Sequence, residues 1–288
     1  VDIDPEDLSG SGTIDDPYVI TNVSELQAIE DDLDANYELG NDIDASETGG
    51  WNNGSGFDPI GNKKYNDDTP PRFTGSLNGN NNTISGLTIN RPSETGVGLF
   101  GYIDADSTIT DIYIENVTVT GDQNVGGVVG FVYGNVRNIV VLGDINGRRN
   151  VGGLAGFNDG TIANATVVGN VNGDKYVGGL AGYGSISTIK DSRASGNISG
   201  GNNVGGLVGF VNRASISNAF AVGAVSGNSN VGGLVGDRDG NNQRGTVTDS
   251  YWDTQATNQD SSAGGTGLAT SQMIGEGAQK NMTGLSFG

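Results

Sequence analysis

The chain has 288 residues, no cysteine, no histidine, 51 glycines, and 34 acidic against 14 basic side chains, for a net charge of −20. The missing residue types exclude disulfides, thiolate nucleophiles, the usual zinc ligand sets and any triad built on an imidazole base. The acidity argues against nucleic acid as a partner, and no apolar run reaches bilayer-spanning length, which argues against direct membrane insertion.

The charge is uneven. Residues 1–70 carry 18 Asp and Glu against Lys63 and Lys64, a net of −16, which leaves −4 for the remaining residues. An acidic surface of this kind suits a halophilic protein, and it suits ordinary solubility equally. No signal peptide is legible at Val1, as in a mature or trimmed chain. Asp2, Asp4, Glu6 and Asp7 make an acidic, solvated start. Tyr18–Thr21 reads as a short strand. Ser24–Leu33 reads as the one amphipathic helix, with Ser24 as its cap, Gln27 at the capping-box position, and Leu26, Ile29 and Leu33 on one face. Such a helix is suited to cap an exposed sheet end. Ile43, Trp51, Phe57 and Ile60 punctuate a loop-rich stretch. Phe73–Leu77 and Thr83–Ile89 read as the first strands of a stack.

From there the sequence repeats itself. Val151-Gly152-Gly153-Leu154-Ala155-Gly156-Phe157 has near copies starting at Val125, Val177, Val204 and Val231, so the interval is 26 or 27 residues. Gly98-Leu99-Phe100-Gly101-Tyr102 is an earlier, degenerate copy. Each unit holds three short runs rich in Val, Ile and Thr, bounded by Gly, Asn and Asp, which is the pattern of strands joined by turns. A fixed period of this size marks a repeat architecture. The expected fold is all-β, a right-handed parallel β-helix (β-solenoid) with coils of about 26 residues and an N-terminal cap containing one short helix. The expected organisation is cap and first coils over 1–95, solenoid over 96–252, and a C-terminal cover over 253–288.

Aligning the units gives columns. Phe131, Phe157, Tyr183 and Phe210 are expected to stack as a mostly buried aromatic ladder. Asp111, Asn138, Asn164, Asp191, Asn218 and Asp249 form a polar column whose amides can hydrogen-bond from coil to coil. The paired glycines lie inside an apolar run with no following Lys-Ser/Thr, so they are structural rather than a phosphate loop. In the last copy, Asp237 stands where the others carry an aromatic residue.

These repeats resemble the GLUG-type repeats of secreted microbial surface proteins. Gly153-Leu154-Ala155-Gly156 and its copies carry the resemblance. It extends to Gly12–Ile20, Phe73–Asn80, Thr83–Leu87 and Ser250–Thr254, nearly the whole chain in order. It implies a β-solenoid on a large extracellular, adhesin-like protein, with no general catalytic site to carry over.

The candidate chemistry is sparse. Asp237, Asp239 and Asn241 alternate around Gly240 like part of a calcium loop, but the twelfth position is Thr248 rather than a bidentate acid. Calcium is the one cofactor this admits. Seven sequons begin at Asn22, Asn53, Asn81, Asn116, Asn164, Asn197 and Asn281, of which Asn53 and Asn81 are the better glycosylation acceptors. Lys190, Asp191 and Arg193 are the one tight mixed cluster that a polysaccharide lyase or hydrolase could use. Arg148, Arg149, Lys175 and Tyr176 fall at the same inter-coil turn and are the expected binding residues. The reading is a non-catalytic adhesive or structural module at the cell surface, recognising glycan or protein through its turns. The alternatives are a filament subunit growing end to end, a viral receptor-binding fibre, and a polysaccharide-cleaving enzyme.

Overall fold

A computed structural model describes residues 8–62, 71–239 and 245–282. The repeat becomes a stack of coils. Six strands, Phe100–Ile103, Val129–Val132, Ala155–Asn158, Ala181–Gly184, Val208–Val211 and Val235–Arg238, line one face as a parallel sheet. A second sheet of 23 strands wraps the remaining faces. The pairing is parallel and in repeat register, Val125 with Val151, Val151 with Val177, Val177 with Val204 and Val204 with Val231.

The core is built from the columns of the motif. Val128, Leu154, Leu180, Leu207 and Leu234 are fully buried, as are Val129, Ala155, Ala181, Val208 and Val235. The glycines are required by contact. A Cβ on Gly156 would lie 2.3 Å from the carbonyl carbon of Asn124 and 2.4 Å from the nitrogen of Val125, one coil away. The polar column is the corner of each coil. Asp111, Asn138, Asn164, Asp191, Asn218 and Asp249 all have positive φ, between 45° and 58°. Asn and Asp tolerate this conformation better than other side chains that carry a Cβ. The Asn138 amide donates to Asp111 Oδ1 at 2.7 Å, Asn164 to Asn138 at 2.8 Å, and Asn218 to Asp191 at 3.0 Å.

The aromatic ladder is in register and is largely but not fully enclosed. Tyr102, Phe131, Phe157, Tyr183 and Phe210 are successive partners, with ring centroids 4.2, 5.7, 5.4 and 5.2 Å apart along the series. Phe131, Phe157, Tyr183 and Phe210 are half-buried. The Val, Leu and Ala columns already fill the interior, so the rings sit outside it and exclude water by stacking on one another. Replacing Phe157 with Ala is therefore expected to destabilise by about 1–2 kcal/mol, a partial burial term plus lost ring contacts. A melting-curve loss as large as that of a core leucine would show the ring to be enclosed.

The parallel stack begins upstream of the repeats. Tyr18–Ile20 pairs with Asn36–Leu39, which pairs with Ser76–Asn78, which joins Thr108–Thr120. Helix Val23–Ala28 lies over this end, with Leu26 and Ile29 buried and Leu33 packed on the core. Its cap is Asn22 rather than Ser24. The Asn22 side chain accepts from the Glu25 N–H at 3.0 Å, and Glu25 Oε2 accepts from the Thr21 N–H at 2.6 Å. At the far end, Thr266–Leu268 pairs with Tyr251–Asp253. Residues 261–263 cover the last edge, where the Ala263 N–H donates to the Val235 carbonyl at 3.0 Å and the Val235 N–H to Ser262 Oγ at 2.8 Å. Helix Gly275–Asn281 brings Ala278 against Tyr251.

Candidate binding edge

In each coil a Gly-led turn precedes the inward-facing Val, fully buried except for the partly buried Val231. The turns are 147–150, 173–176, 200–203 and 227–230, and they superpose in register: Gln123 with Arg149, Arg149 with Lys175, Lys175 with Asn202, Asn202 with Ser229. Main-chain bonds fix the spacing. The N–H groups of Arg148 and Arg149 both donate to the Asp122 carbonyl, and those of Asp174 and Lys175 to the Arg148 carbonyl. The four candidate residues Arg148, Arg149, Lys175 and Tyr176 thus lie together on one edge of the stack.

Their side chains do different things. Arg148 reaches back one coil to Asp122, with Nε donating to Oδ1 at 2.6 Å and Nη2 to Oδ2 at 3.1 Å. These bonds hold the Asp122 carboxyl below its usual range and raise the Arg148 guanidinium. A carboxylate lowered in this way adds stability above its unfolded pKa. That stability is lost as pH falls through the folded value. Arg149 and Lys175 are exposed, and among the described residues neither forms an ion pair. Both lie against the ring of Tyr176, the Arg149 guanidinium carbon 5.4 Å and the Lys175 ammonium 4.7 Å from its centroid. Tyr176 meets Tyr183 edge-on at 5.5 Å and Phe210 at 5.2 Å. The turn edge and the aromatic ladder are therefore continuous. Three of the four successive ring pairs stack along the axis and cover one another's faces, while Phe131 and Phe157 are tilted by 47°.

On the other side of the turns runs a shallow polar groove, which the sequence reading missed. It is lined by Gly147, Gly173, Gly200 and Gly227, by Asn146, Asn172, Ser199, Ser226 and Asn228, and by one acid, Asp174. The lining is ordered, since Asn172 donates to Asn146 Oδ1 at 3.0 Å and Ser199 to Asn172 Oδ1 at 2.5 Å. The signal was available as a further column at the repeat spacing, but polar residues beside turns look like solvated loop.

The other candidates are engaged differently. Asp237 ends the aromatic column opposite Phe210. Its Oδ2 accepts from Asn230 at 2.9 Å and Asn203 at 3.2 Å, and its Oδ1 accepts from the Arg238 N–H at 2.8 Å. Asp239 lies just beyond, while Asn241 lies outside the described residues. Among the described residues no three acids cluster as a metal site. Asp191 is a corner residue in the polar column, and Arg193 Nε donates to Thr166 Oγ1 at 3.1 Å. Asn53 and Asn81 are exposed, whereas the Asn22, Asn164 and Asn197 side chains serve a helix cap and coil-to-coil ladders. A separate cleft at the N-terminal end lies between Gln27, Glu30, Glu47, Trp51 and Asp58. No helix among the described residues is long and apolar enough to cross a membrane.

Comparison with known proteins agrees with this architecture. Residues 147–172 and 173–199 each match the GLUG motif, so two consecutive coils carrying the turn edge are GLUG repeats. Halomucin of Haloquadratum walsbyi is 42% identical over 142 residues, which is 48% of this chain and 2% of halomucin. A protein of Evansella cellulosilytica, provisionally named a Gly-rich membrane protein, is 33% identical over 140 residues, 46% of this chain and 15% of that protein. The aligned segments thus span a small fraction of either relative. A crystal structure from Bacteroides ovatus, of a protein provisionally named an immunoglobulin A1 protease, superposes with a TM-score of 0.67. It covers 90% of this chain and 85% of that one at 20% identity, a likeness of fold alone.

Proposed function

We propose that this chain is a non-catalytic extracellular module of a microbial cell surface, a rigid β-solenoid that binds glycan or protein along its turn edge. The observation that carries the reading is the register of the turns, which gathers Arg148, Arg149, Lys175 and Tyr176 on one exposed edge beside an axial polar groove. The names of the two relatives, a mucin-like and a membrane protein, support the surface location. The ladders explain the polar columns by stacking and give Asp191 a structural partner in Asn218, which supports the non-catalytic reading. End-to-end growth is the weaker alternative, because residues 261–263 cover the edge it would use.

A glycan array tests the reading. The wild-type chain is expected to retain a subset of surface glycans, and Arg149→Glu is expected to weaken that retention about tenfold. The melting temperature should be nearly unchanged, because Arg149 is exposed and makes no ion pair among the described residues. Light scattering should give the mass of one chain. Release of reducing sugar from any polysaccharide, abolished by Asp191→Asn without loss of fold, would overturn the reading in favour of a lyase or hydrolase.

A further inference from the structure

The Tyr176 turn and its contacts with the preceding coil break local rules three times. Its column, one residue before the buried Val, is Gly96, Asn124, Asn150, Tyr176, Asn203 and Asn230, and every member has positive φ. Five of the six are residue types that tolerate this backbone. Tyrosine is bulky and does not, yet Tyr176 sits at φ 58°. The column is also a hydrogen-bond ladder. Asn150 donates to Asn124 Oδ1 at 2.6 Å and Asn230 to Asn203 Oδ1 at 3.3 Å. An asparagine at 176 would continue it. With tyrosine there, Asn150 Oδ1 is buried without a hydrogen-bond partner. The third departure is charge. Arg149 and Lys175 are direct partners on adjacent coils, and like charges placed opposite one another repel. Both are exposed and outside any ion pair among the described residues, in a chain with 34 acidic side chains. Asp174 is the nearest acid in sequence; it lines the groove and acts by charge on Arg148, but it forms no salt bridge with Lys175 or Arg148 among the described residues.

Costs gathered at one surface point mark a functional position when the surrounding fold could remove them by a single substitution. An anion between Arg149 and Lys175 relieves the repulsion, and the Tyr176 ring holds both cations in place. We propose that this turn is an anion-binding site for an acidic polysaccharide. A carboxylate or sulfate of the chain would lie between Arg149 and Lys175, and its hydroxyls would lie along the groove of Asn146, Asn172 and Ser199. This rests on the turn edge being the binding surface. The groove favours a polysaccharide over an acidic protein. It is polar, floored by glycine, and repeats its amide and hydroxyl groups at the coil spacing, which suits an extended hydroxylated chain and offers no pocket for an apolar anchor. Beside Tyr176 the ladder rings Phe157, Tyr183 and Phe210 stack on one another, so sugar stacking on the ladder is not part of the site.

Binding to polygalacturonate and to dextran sulfate, with unsubstituted dextran and polyglutamate as comparisons, tests the proposal. The wild type should bind one or both acidic polysaccharides and neither comparison, with affinity falling as salt rises. The dextran sulfate and polygalacturonate arms distinguish a sulfate from a carboxylate. Arg149→Gln with Lys175→Gln should lose on the order of tenfold or more in affinity while melting no lower than wild type. Tyr176→Asn should also bind more weakly, yet melt at a higher temperature, because it relaxes the backbone and supplies Asn150 Oδ1 with a donor. Lys190→Gln, on another face, should change neither. Unaltered binding by the double variant, or a Tyr176→Asn protein that melts lower and binds normally, would overturn the proposal. Polyglutamate bound as tightly as the polysaccharides would overturn the polysaccharide assignment. Neutral glycans retained by wild type and lost in Arg149→Glu would refute the anion site while leaving the broader edge-binding reading intact.

Discussion

Replacing Gly156 with Ala is expected to prevent stable stacking of the coil that contains it. The added Cβ would meet three backbone atoms of the preceding coil, Asn124 C at 2.3 Å, Val125 N at 2.4 Å and Asn124 Cα at 2.5 Å. No side chain can rotate away to make room. The coils cannot separate there either, because ladder bonds on both faces hold Val129 to Ala155 and Val125 to Val151 in register. Overpacking of this kind usually costs about 1–3 kcal/mol, and backbone contacts that cannot relax place this site at or beyond the upper end. At the positions equivalent to Gly156, an added Cβ would meet backbone at 2.6 Å (Gly130), 2.4 Å (Gly182) and 2.5 Å (Gly209), so the effect should recur in each unit. Gly50→Ala is the control, since nothing lies within 4 Å of its added Cβ. It should shift stability by less than about 0.5 kcal/mol. Urea titration of both variants reads the difference, and equal midpoints would show that the glycines are not packing residues.

The second large effect is expected at Leu154. Its side chain is fully buried, between Val128 and Leu180 of the neighbouring coils. Leu154→Ala should cost about 2–5 kcal/mol, toward the larger value because fixed coil spacing limits collapse of the cavity. The loss should exceed that of Phe157→Ala by a factor of about two or more. Similar losses at the two positions would contradict the placement of the rings outside the core.

Much of the architecture was legible because a repeat converts sequence alignment into spatial register. Val125, Val151, Val177 and Val204 align in the sequence and pair in the sheet for the same reason: one period is one coil. The corner column was readable because Asn and Asp accept positive φ. Hydrophobicity without geometry leaves the depth of a ring open. Phe157 is apolar and in register, yet the interior was already filled by Leu154 and Ala155. The helix cap was misplaced because Asn22 and Ser24 both fit the residue preference, and only the backbone distinguishes them. The edge itself was partly legible. Arg148, Arg149, Lys175 and Tyr176 aligned at one turn, but the Arg148–Asp122 pair spans 26 residues, and no local pattern announces it. The groove of Asn146, Asn172 and Ser199 was hidden by its resemblance to ordinary polar turn. Tyr176 was the clearest clue of all, a tyrosine where the column otherwise carries asparagine or glycine, and its meaning needed the backbone conformation.

The most direct test of edge recognition is a chemical-shift map of the labelled protein titrated with a polygalacturonate oligosaccharide. The expected result is movement of amide signals in 147–150, 173–176 and 199–203, with the Trp51 indole signal in the N-terminal cleft unmoved. Shifts centred on Trp51 and the cleft of Gln27, Glu47 and Asp58, or none at any position, would contradict binding at the turn edge.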